Sequence, residues 1–405
     1  MSSQRLALTF ILTTVTLDAI GIGLIFPVMP DLIRSVTAGS LSQAAMLGGV
    51  LATSFAVMQF LFGPLIGSLS DRYGRRPILL ISLVVMTLDY LVMATAQTYA
   101  LLLAARVVAG IAAATYSTAT AYIADITPPE QRGARFGLIG AGFGIGFVLG
   151  PAIGGLLAGI DVRAPFYAAA ALAFANLIFG AFVLPETVTD ATRRPFVLGR
   201  ANPASALLAV SKLPGVRRTL LCFLILSIAM NVYPAIWAYY GQARFGWDTS
   251  MVGISLAVYG VSFAVGQAVL VGPLIRRFGE HRAAKYGMWV DVTTLAALGL
   301  ITSGPVALIL TPITALGGVV TPALQAIASK SAPANAQGEL QGVLSSLGAI
   351  AMITAPLIMT TVFATFTGPS APFYSPGAPF LVASVLMLVC LVLHSTAPRA
   401  ANSSI

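Results

Sequence analysis

Long apolar runs separated by short polar turns make up most of this sequence. A helix that crosses a bilayer needs about 20 mostly apolar residues, and the runs reach that length. The strands of a membrane barrel would instead show short alternating segments. The pattern predicts an all-α integral membrane protein with twelve crossings. We place them at residues 6–28, 44–69, 76–96, 99–124, 133–158, 164–184, 217–241, 251–274, 283–302, 305–328, 338–364 and 378–395.

The composition is also that of an integral membrane protein. Hydrophobic residues make up 58% of the sequence and charged residues only 9%, whereas soluble globular chains carry about 25% charged residues. The net charge of +9 does not indicate nucleic-acid binding, because the basic residues fall mostly in alternate loops. That is the pattern by which membrane proteins mark their cytoplasmic side. We therefore expect the lipid bilayer, and no nucleic acid, as a partner.

The stretch at residues 67–77 fixes the predicted orientation. It places Asp71 beside Arg72, Arg75 and Arg76 in a turn punctuated by glycine. With this stretch on the cytoplasmic side, 18 of the 22 basic residues lie in cytoplasmic loops, three lie in outer loops, and Arg106 lies inside a helix. The even number of crossings then predicts that both termini are cytoplasmic.

The chain reads as two related halves. A polar stretch with several prolines and basic residues predicts a cytoplasmic linker at 186–216, between six-helix bundles at 1–185 and 217–405. The sequence Gly-Pro-Leu-Ile occurs at 63–66 and again at 272–275, each time before a basic loop. Parallel repeats around a central cavity are typical of transporters that work by alternating access.

Four ionisable residues lie well inside crossings: Asp18, Asp89, Arg106 and Asp291. Such residues are costly in lipid and are candidates for function. Asp89 and Arg106 lie at similar depth on neighbouring crossings, so they either take part in transport or form a structural ion pair. Asp291 has no basic residue at its depth. An isolated carboxylate in this setting favours its protonated form, so Asp291 is either a proton carrier or a neutral structural acid. Asp18 either pins helix packing or lines the cavity.

Polar and aromatic side chains within the crossings are predicted to coat a cavity for a polycyclic, partly polar ligand. The alternative for each residue alone is a contact between helices or a place in the interfacial belt. The set comprises Gln59, Tyr90, Tyr116, Asn231, Tyr233, Trp237, Tyr239, Tyr259, Gln267, Gln325 and Gln341.

Motifs for enzymatic chemistry are missing from the sequence. The glycine-rich stretch 137–155 has no preceding strand and no GK[ST] ending, so we interpret it as a helix-packing seam rather than a nucleotide loop. Only two histidines occur, which argues against a metal site. Without a nucleophile–base pair or a metal cluster, a membrane enzyme is disfavoured. A sensor would carry a soluble signalling domain, which the sequence lacks.

Several of these motifs resemble those of a known family. Residues 67–77 resemble the signature loop of the major facilitator superfamily. Arg106 with 107–110, and the glycine seam that ends at 150–155, are similar to its proton-coupling and antiporter motifs. Stretches that resemble the bacterial tetracycline efflux proteins occur at 17–30, 88–91, 244–247 and 322–325. The resemblance implies the exchange of tetracycline, chelated to a divalent cation such as Mg²⁺, for a proton across the bacterial inner membrane.

The resemblance also implies roles for individual residues. Proton coupling falls to Asp18, Asp89, Arg106 and Asp291, and the transport path includes Gln59, Asp89, Phe263 and Gln267. The implied gating residues are Ser70, Asp71, Arg72, Arg75, Arg76, Asp125, Gly150 and Pro151. Several relatives carry a histidine in helix eight where this chain has Phe263. We expect a monomer without a bound cofactor, driven by the proton gradient. The alternative cargo is another drug, such as a phenicol or quinolone, or a metabolite.

Overall fold

A computed structural model describes residues 3–113, 115–190, 193, 216–333 and 336–396. Most of the predicted linker 186–216 lies outside these residues, and the proposed division into 1–185 and 217–405 stays a prediction. Within the described residues, all regular secondary structure is helical.

Twelve helices follow one another in the described parts of the chain. They are α1 (Ser3–Thr37), α2 (Leu41–Tyr73), α3 (Arg75–Thr95), α4 (Tyr99–Ile126), α5 (Pro129–Ala158), α6 (Ala164–Val183), α7 (Arg217–Phe245), α8 (Thr249–Phe278), α9 (Glu280–Leu300), α10 (Gly304–Ser331), α11 (Gln337–Thr367) and α12 (Ala378–Ser395). Each corresponds to one predicted crossing. The fold prediction is thereby confirmed.

Eleven of these twelve helices are long and apolar enough to cross a membrane. The exception, α9, is 21 residues long but carries Arg282, Lys285 and Asp291. Several limits differ from the sequence prediction, and two of the differences have a clear physical reason. Helix α1 continues through Pro27 and Pro30 to Thr37, because a helix packed among neighbours in a membrane tolerates proline. The predicted loop at 67–77 shrinks to Gly74 between α2 and α3, whose φ of 114° favours glycine.

Four helices are interrupted within their length. Helix α4 breaks after Ala112 and resumes at Thr115, and α7 is interrupted at Asn231. Helix α8 contains a π-helical turn at Gly266–Leu270, and α10 contains a 3₁₀ turn at Ala315–Val319. Irregular turns of this kind often occur at functional sites. In this chain, carbonyls at two of the interruptions accept hydrogen bonds from side chains of other helices.

The first six and last six helices meet mainly along two helix pairs, α5 with α8 and α2 with α11. We call the membrane face that carries Gly74 the motif face, and the other the opposite face. Near the opposite face the backbones touch: a Cβ atom on Gly155 would lie 3.0 Å from the Cα of Gly253. At mid-depth, the hydroxyl of Thr53 donates to the carbonyl of Ile353 over 2.9 Å.

Toward the motif face the halves separate. Gly63, Gly67, Gly140 and Gly144 have no described atom within 4 Å of the position that a Cβ would take. At the opposite face, Asp31 on α1 accepts hydrogen bonds from Gln242 on α7 (3.1 Å) and from Thr249 on α8 (2.5 Å). The structure is therefore closed at the opposite face and open at the motif face.

Candidate transport site

A cavity of about 1000 Å³ lies between the two halves. Its wall comes from α1 and α5 in the first half and from α7, α8, α9 and α10 in the second. This volume is at the upper end of the range for sites that bind drug-sized ligands. Among the described residues that line it, none carries a charge. Polar groups come from the side chains of Tyr233, Trp237, Tyr259, Gln267, Thr311 and Thr314.

The structure brings together five of the residues predicted to line the cavity or contact cargo. They are Tyr233 and Trp237 on α7, and Tyr259, Phe263 and Gln267 on α8. The rings form a column: the centroids of Tyr233 and Tyr259 are 5.3 Å apart at 22°, and those of Tyr259 and Phe263 are 6.0 Å apart at 25°. Such near-parallel rings present flat apolar surface, which suits a planar conjugated ligand.

Eight other predicted residues do not belong to the lining of this cavity: Gln59, Asp89, Tyr90, Tyr116, Asn231, Tyr239, Gln325 and Gln341. Asn231 donates from Nδ2 to the carbonyl of Ser227 over 2.7 Å, at the interruption of its own helix. The ring of Tyr116 packs edge-on against Phe143 with centroids 5.9 Å apart. Gln325 is exposed on α10. A role for them in transport stays a prediction.

Two glutamine side chains donate hydrogen bonds to breaks in neighbouring helices. The side-chain amide of Gln59 on α2 donates to the carbonyl of Ala113 in the break of α4 over 3.1 Å. The amide of Gln267, within the π turn of α8, donates to the carbonyl of Gly318 in the 3₁₀ turn of α10 over 3.0 Å. A carbonyl that has lost its helical partner is costly to leave unpaired in a membrane. Each glutamine therefore stabilises a break in a neighbouring helix.

Asp89 and Arg106 form an ion pair between α3 and α4. Their side chains are only 4% and 11% exposed, and the Arg106 guanidinium also lies 5.5 Å from the centroid of the Phe55 ring. The sequence left two interpretations of Asp89 and Arg106, a part in transport or a structural ion pair. The structure contains the ion pair. The pair neutralises two charges that would be costly in the interior if they were alone.

Asp291 is buried without a countercharge. It is 3% exposed and forms no ion pair with any residue that the structure describes. One carboxylate oxygen lies against Gly317 in the 3₁₀ turn of α10, where a Cβ atom would overlap it. The other, Oδ2, has no hydrogen-bond partner among the described residues. This acid can take up a proton without breaking any ion pair.

Asp18 occupies a comparable place in the first half. Its side chain forms a hydrogen bond with Thr115, the first residue after the break of α4. Its Oδ1 is buried without a described hydrogen-bond partner, and Asp18 does not belong to the cavity wall. Each half thus places an acid without a described ion pair beside an interrupted helix.

Arg75 contacts three other predicted gating residues at the motif face. Its guanidinium contacts Asp71 Oδ1 at 2.5 Å, Asp125 Oδ2 at 3.2 Å and the hydroxyl of Ser70 at 3.2 Å. Arg72 stays outside this cluster, with its guanidinium 5.1 Å from the ring centroid of Tyr73. The cluster fastens the ends of α2, α3 and α4 to one another.

Glu186 completes the cluster and was missed from the sequence. Its carboxylate accepts the backbone N–H groups of Arg75 (2.9 Å) and Arg76 (3.2 Å) at the start of α3, where a negative charge is favoured. The guanidinium of Arg76 donates to the carbonyl of Ala181 at 2.7 Å. The sequence did contain a signal for it: Glu186 is an acidic residue two positions after the end of the predicted crossing 164–184, at the start of the basic linker.

Gly150 and Pro151 lie on two different contacts of α5. A Cβ atom on Gly150 would lie 2.8 Å from the Cα of Gly23, so Gly150 permits close packing on α1. The carbonyl of Pro151 faces Gly253 on α8, across the interface between the halves. The predicted packing seam is therefore present, and it serves both an internal contact and a contact between the halves.

The family model described as Major Facilitator Superfamily matches residues 11–356 and, in a second match, 219–404. This chain belongs to the major facilitator superfamily. The resemblance drawn from residues 67–77 and 150–155 is thereby confirmed. Membership makes the chain a multi-pass membrane transporter rather than an enzyme, and it agrees with a cavity placed between two groups of six helices.

Relatives extend over nearly the whole transporter. Tetracycline resistance protein, class C, from Escherichia coli is 43% identical over 385 residues, which cover 95% of each chain. Tetracycline resistance protein, class G, from Vibrio anguillarum is 38% identical, with 94% of this chain and 95% of the relative covered. Multidrug resistance protein 2 from Bacillus subtilis is 26% identical, with 88% and 89% covered.

Solved structures share the fold. The human organic anion transporter MFSD10 superposes with a TM-score of 0.71 at 25% identity and covers 97% of this chain and 100% of its own. A bacterial homologue of the human lysosomal transporter Spinster superposes with a TM-score of 0.79 at 16% identity, with 98% and 97% covered. The second likeness concerns the fold alone.

Proposed function

We propose that this transporter is a proton-coupled antiporter that exports tetracycline as a chelate with a divalent cation such as Mg²⁺. The observation that carries the proposal is the end-to-end similarity to proteins named for tetracycline resistance. The aromatic column along an uncharged cavity supports it, because a flat conjugated molecule can stack there. In this scheme the cation belongs to the cargo, and no cofactor is bound by the protein itself.

Orientation follows from the charged loops. We assign the motif face to the cytoplasm of a bacterium and both termini to the same side of the inner membrane, because the basic residues concentrate there. The cavity then opens inward in this structure, where it can receive a drug from the cell. The contacts of Asp31 with Gln242 and Thr249 close the outer side. We expect a monomer to suffice, since one chain encloses the cavity.

Transport then requires two states and a proton. Binding of cargo or proton can shift the equilibrium only through a difference in affinity between the inward- and outward-facing states. Asp291 is the proposed proton carrier, because it is buried, lacks a countercharge and lies against the 3₁₀ turn of α10. Protons entering from the more acidic outside would drive export.

A second candidate function is export of a different drug or a metabolite. Phe263 adds an apolar ring to the part of the wall that α8 provides, and a cavity without charged residues among those described is compatible with many aromatic compounds. Similarity to multidrug resistance proteins of Bacillus subtilis supports this candidate.

The decisive measurement is uptake of tetracycline with Mg²⁺ into proteoliposomes whose interior is acidic. Wild-type protein should accumulate the drug, and Asp291→Asn should abolish the dependence on the pH gradient. Asp190→Asn is the matched control, because the Asp190 side chain is 95% exposed. Susceptibility of expressing cells to tetracycline, a phenicol and a quinolone separates the two candidates. No uptake of tetracycline and resistance only to another compound would refute the first.

A further inference from the structure

Helices α5 and α8 carry matching pairs of aromatic residues. Phe143 and Phe147 lie one turn apart on α5, and their ring centroids are 6.2 Å apart at 16°. Tyr259 and Phe263 lie one turn apart on α8, and their centroids are 6.0 Å apart at 25°. Residues at this spacing share one face of a helix. All four residues line the cavity, so each helix brings two nearly parallel rings to it.

The close contacts between α5 and α8 fix the register of the two helices. A Cβ atom on Gly155 would lie 3.0 Å from the Cα of Gly253, and a Cβ atom on Gly260 would lie 2.7 Å from Cγ2 of Val148. These two contacts are seven residues apart on each helix, and α8 advances where α5 recedes. The helices therefore run antiparallel with a constant register between the two contacts.

The same register places the two aromatic pairs at one depth in the cavity. Continued from the Val148–Gly260 contact toward the motif face, it sets Phe147 between the levels of Tyr259 and Phe263. It sets Phe143 one step beyond Phe263. Because a helix rises about 1.5 Å per residue, the backbone positions of the four residues alternate between the two helices at steps of about 3 Å. Rings from α5 and α8 thus face the same part of the cavity.

The two helices diverge beyond the contact between Val148 and Gly260. One turn nearer the motif face, no described atom lies within 4 Å of the position that a Cβ on Gly144 would take. Val148, Gly260 and Gly144 all line the cavity. The space between α5 and α8 is therefore a wedge that is closed at Val148 and widens toward the motif face, with one aromatic pair on each wall.

Further aromatic residues hold the α5 pair in place. Phe26 on α1 packs against Phe147 with ring centroids 5.8 Å apart at 67°, and Tyr116 on α4 packs against Phe143 at 5.9 Å and 79°. Edge-to-face arrangements of this kind are favourable for aromatic pairs. The two rings of α5 are thus fixed by contacts within the first half, and a ligand does not have to order them.

We propose that Phe143 and Phe147 form, with Tyr259 and Phe263, an aromatic clamp that binds a planar fused-ring molecule between α5 and α8. This inference rests on the proposed export of a flat drug, and it assigns Phe143 and Phe147 as specificity-determining residues. A planar molecule in the wedge can stack on the rings of both walls. A molecule with bulk out of its plane contacts only one wall at a time.

The clamp also connects binding to the change of state. Its α5 wall belongs to the first half of the transporter and its α8 wall to the second, so a molecule stacked on both walls joins the two halves. Stacking on both walls is strongest when the wedge is narrow. Planar cargo therefore has a different affinity for the open and narrowed states, which is what a ligand needs in order to shift their equilibrium.

The test removes the flat rings of α5 and keeps apolar side chains in their place. Phe143→Leu, Phe147→Leu and the double variant of the full-length protein are compared with wild type. The probes are acridine orange, a planar fused-ring cation, and tetraphenylphosphonium, an aromatic cation that is not planar. Affinity for acridine orange should fall by about 3-fold to 10-fold for each ring removed, and affinity for tetraphenylphosphonium by less than about 2-fold.

Phe182→Leu is the matched control, because Phe182 on α6 is 87% exposed; it should leave both affinities unchanged. Phe143→Tyr and Phe147→Tyr retain a flat ring and should keep the affinity for acridine orange within about 2-fold of wild type. An equal loss of both probes in the double leucine variant, or no loss of acridine orange, would overturn the clamp. If thermal unfolding shows that this variant does not fold, Tyr259→Leu removes a ring from the other wall, and the same criterion applies.

Tetracycline with Mg²⁺, measured on the same variants, separates this inference from the cargo assignment. Wild type should bind it, and the double leucine variant should bind it about 10-fold or more weakly. If wild type binds acridine orange with the expected dependence on the rings but does not bind tetracycline, the cargo assignment fails and the clamp stands. If tetracycline binds equally to both proteins, the clamp fails and the cargo assignment stands. A wild-type protein that binds neither planar compound would overturn both.

Discussion

Lys330 contacts Glu280 at 2.5 Å and joins the motif-face ends of α10 and α9. In the first half, the corresponding ends of α4 and α3 are joined by Asp125 and Arg75 at 3.2 Å. The order of charges is exchanged between the halves: the base begins α3, but the acid begins α9. Two related bundles thus fasten the same pair of helix ends with ion pairs of opposite polarity.

The Glu280–Lys330 pair should tolerate charge exchange. We expect Glu280→Lys or Lys330→Glu alone to lower stability by less than about 1 kcal/mol, because the Lys330 side chain is 68% exposed and water screens the pair. The double exchange should restore the wild-type melting temperature in detergent. Arg75→Ala is the contrasting variant, and it should cost more because Arg75 holds three partners. If the double variant melts at a lower temperature than wild type, as the single variants do, the ion pair does not fasten α9 to α10.

Asp89→Asn should be strongly destabilising. The substitution leaves the Arg106 guanidinium buried with no countercharge, and removing one partner of a buried pair costs about 3–5 kcal/mol. Thermal unfolding of the purified protein measures the loss, with exposed Asp190→Asn as the control. A variant as stable as wild type that has lost only proton coupling would favour the transport role of Asp89 over the structural one.

Gln59→Leu and Gln267→Leu should have similar costs. Each removes the donor to a carbonyl in a helix break, and an unsatisfied buried acceptor costs about 1–3 kcal/mol. Unfolding measurements on both variants, with Gln97→Leu at an exposed turn as the control, check this. Loss of tetracycline affinity in Gln267→Leu with unchanged stability would show that Gln267 serves the cargo rather than the helix break.

Asp31→Ala should open the opposite face. The carboxylate accepts two hydrogen bonds across the halves, and each contributes about 1 kcal/mol. Their loss should shift the equilibrium about 10-fold or more toward the state that is open at that face. Labelling of Ser250→Cys by a membrane-impermeant thiol reagent measures it, since Ser250 lies in the seam against Gly155. Asp190→Ala is the control. If Asp31→Ala leaves the labelling rate unchanged, the contacts of Asp31 with Gln242 and Thr249 do not stabilise the closed state.

The helix limits were predictable where a polar turn ends an apolar run. Helices α3 and α12 begin and end within about two residues of the prediction. The end of α1 was wrong by nine residues, because its packed environment accommodates Pro27 and Pro30. The turns within α8 and α10 were not predictable, since they depend on side chains of neighbouring helices, such as Gln267 over Gly318.

The site was predictable only where it is polar. Equal depth on adjacent helices correctly brought Asp89 and Arg106 together. Of the aromatic residues predicted on α7, Tyr233 and Trp237 lie on the cavity wall and Tyr239 does not. The wall contributed by α5, including Phe143 and Phe147, was missed. An apolar side chain that faces lipid and one that faces a cavity have the same signature in a sequence that is apolar throughout.

Four glycines toward the motif face indicate a second conformation in which the two halves are closer there. They are Gly63, Gly67, Gly140 and Gly144, and their surroundings are empty in this structure. A glycine within a helix costs about 1 kcal/mol relative to alanine, and in this state nothing approaches these four closely enough to require the missing Cβ. We expect this cost to be offset in the alternative conformation, in which the backbones of other helices approach the four glycines. Alanine at these sites should therefore stabilise the form that is open at the motif face and slow the transport cycle, so that a more heat-stable protein turns over more slowly.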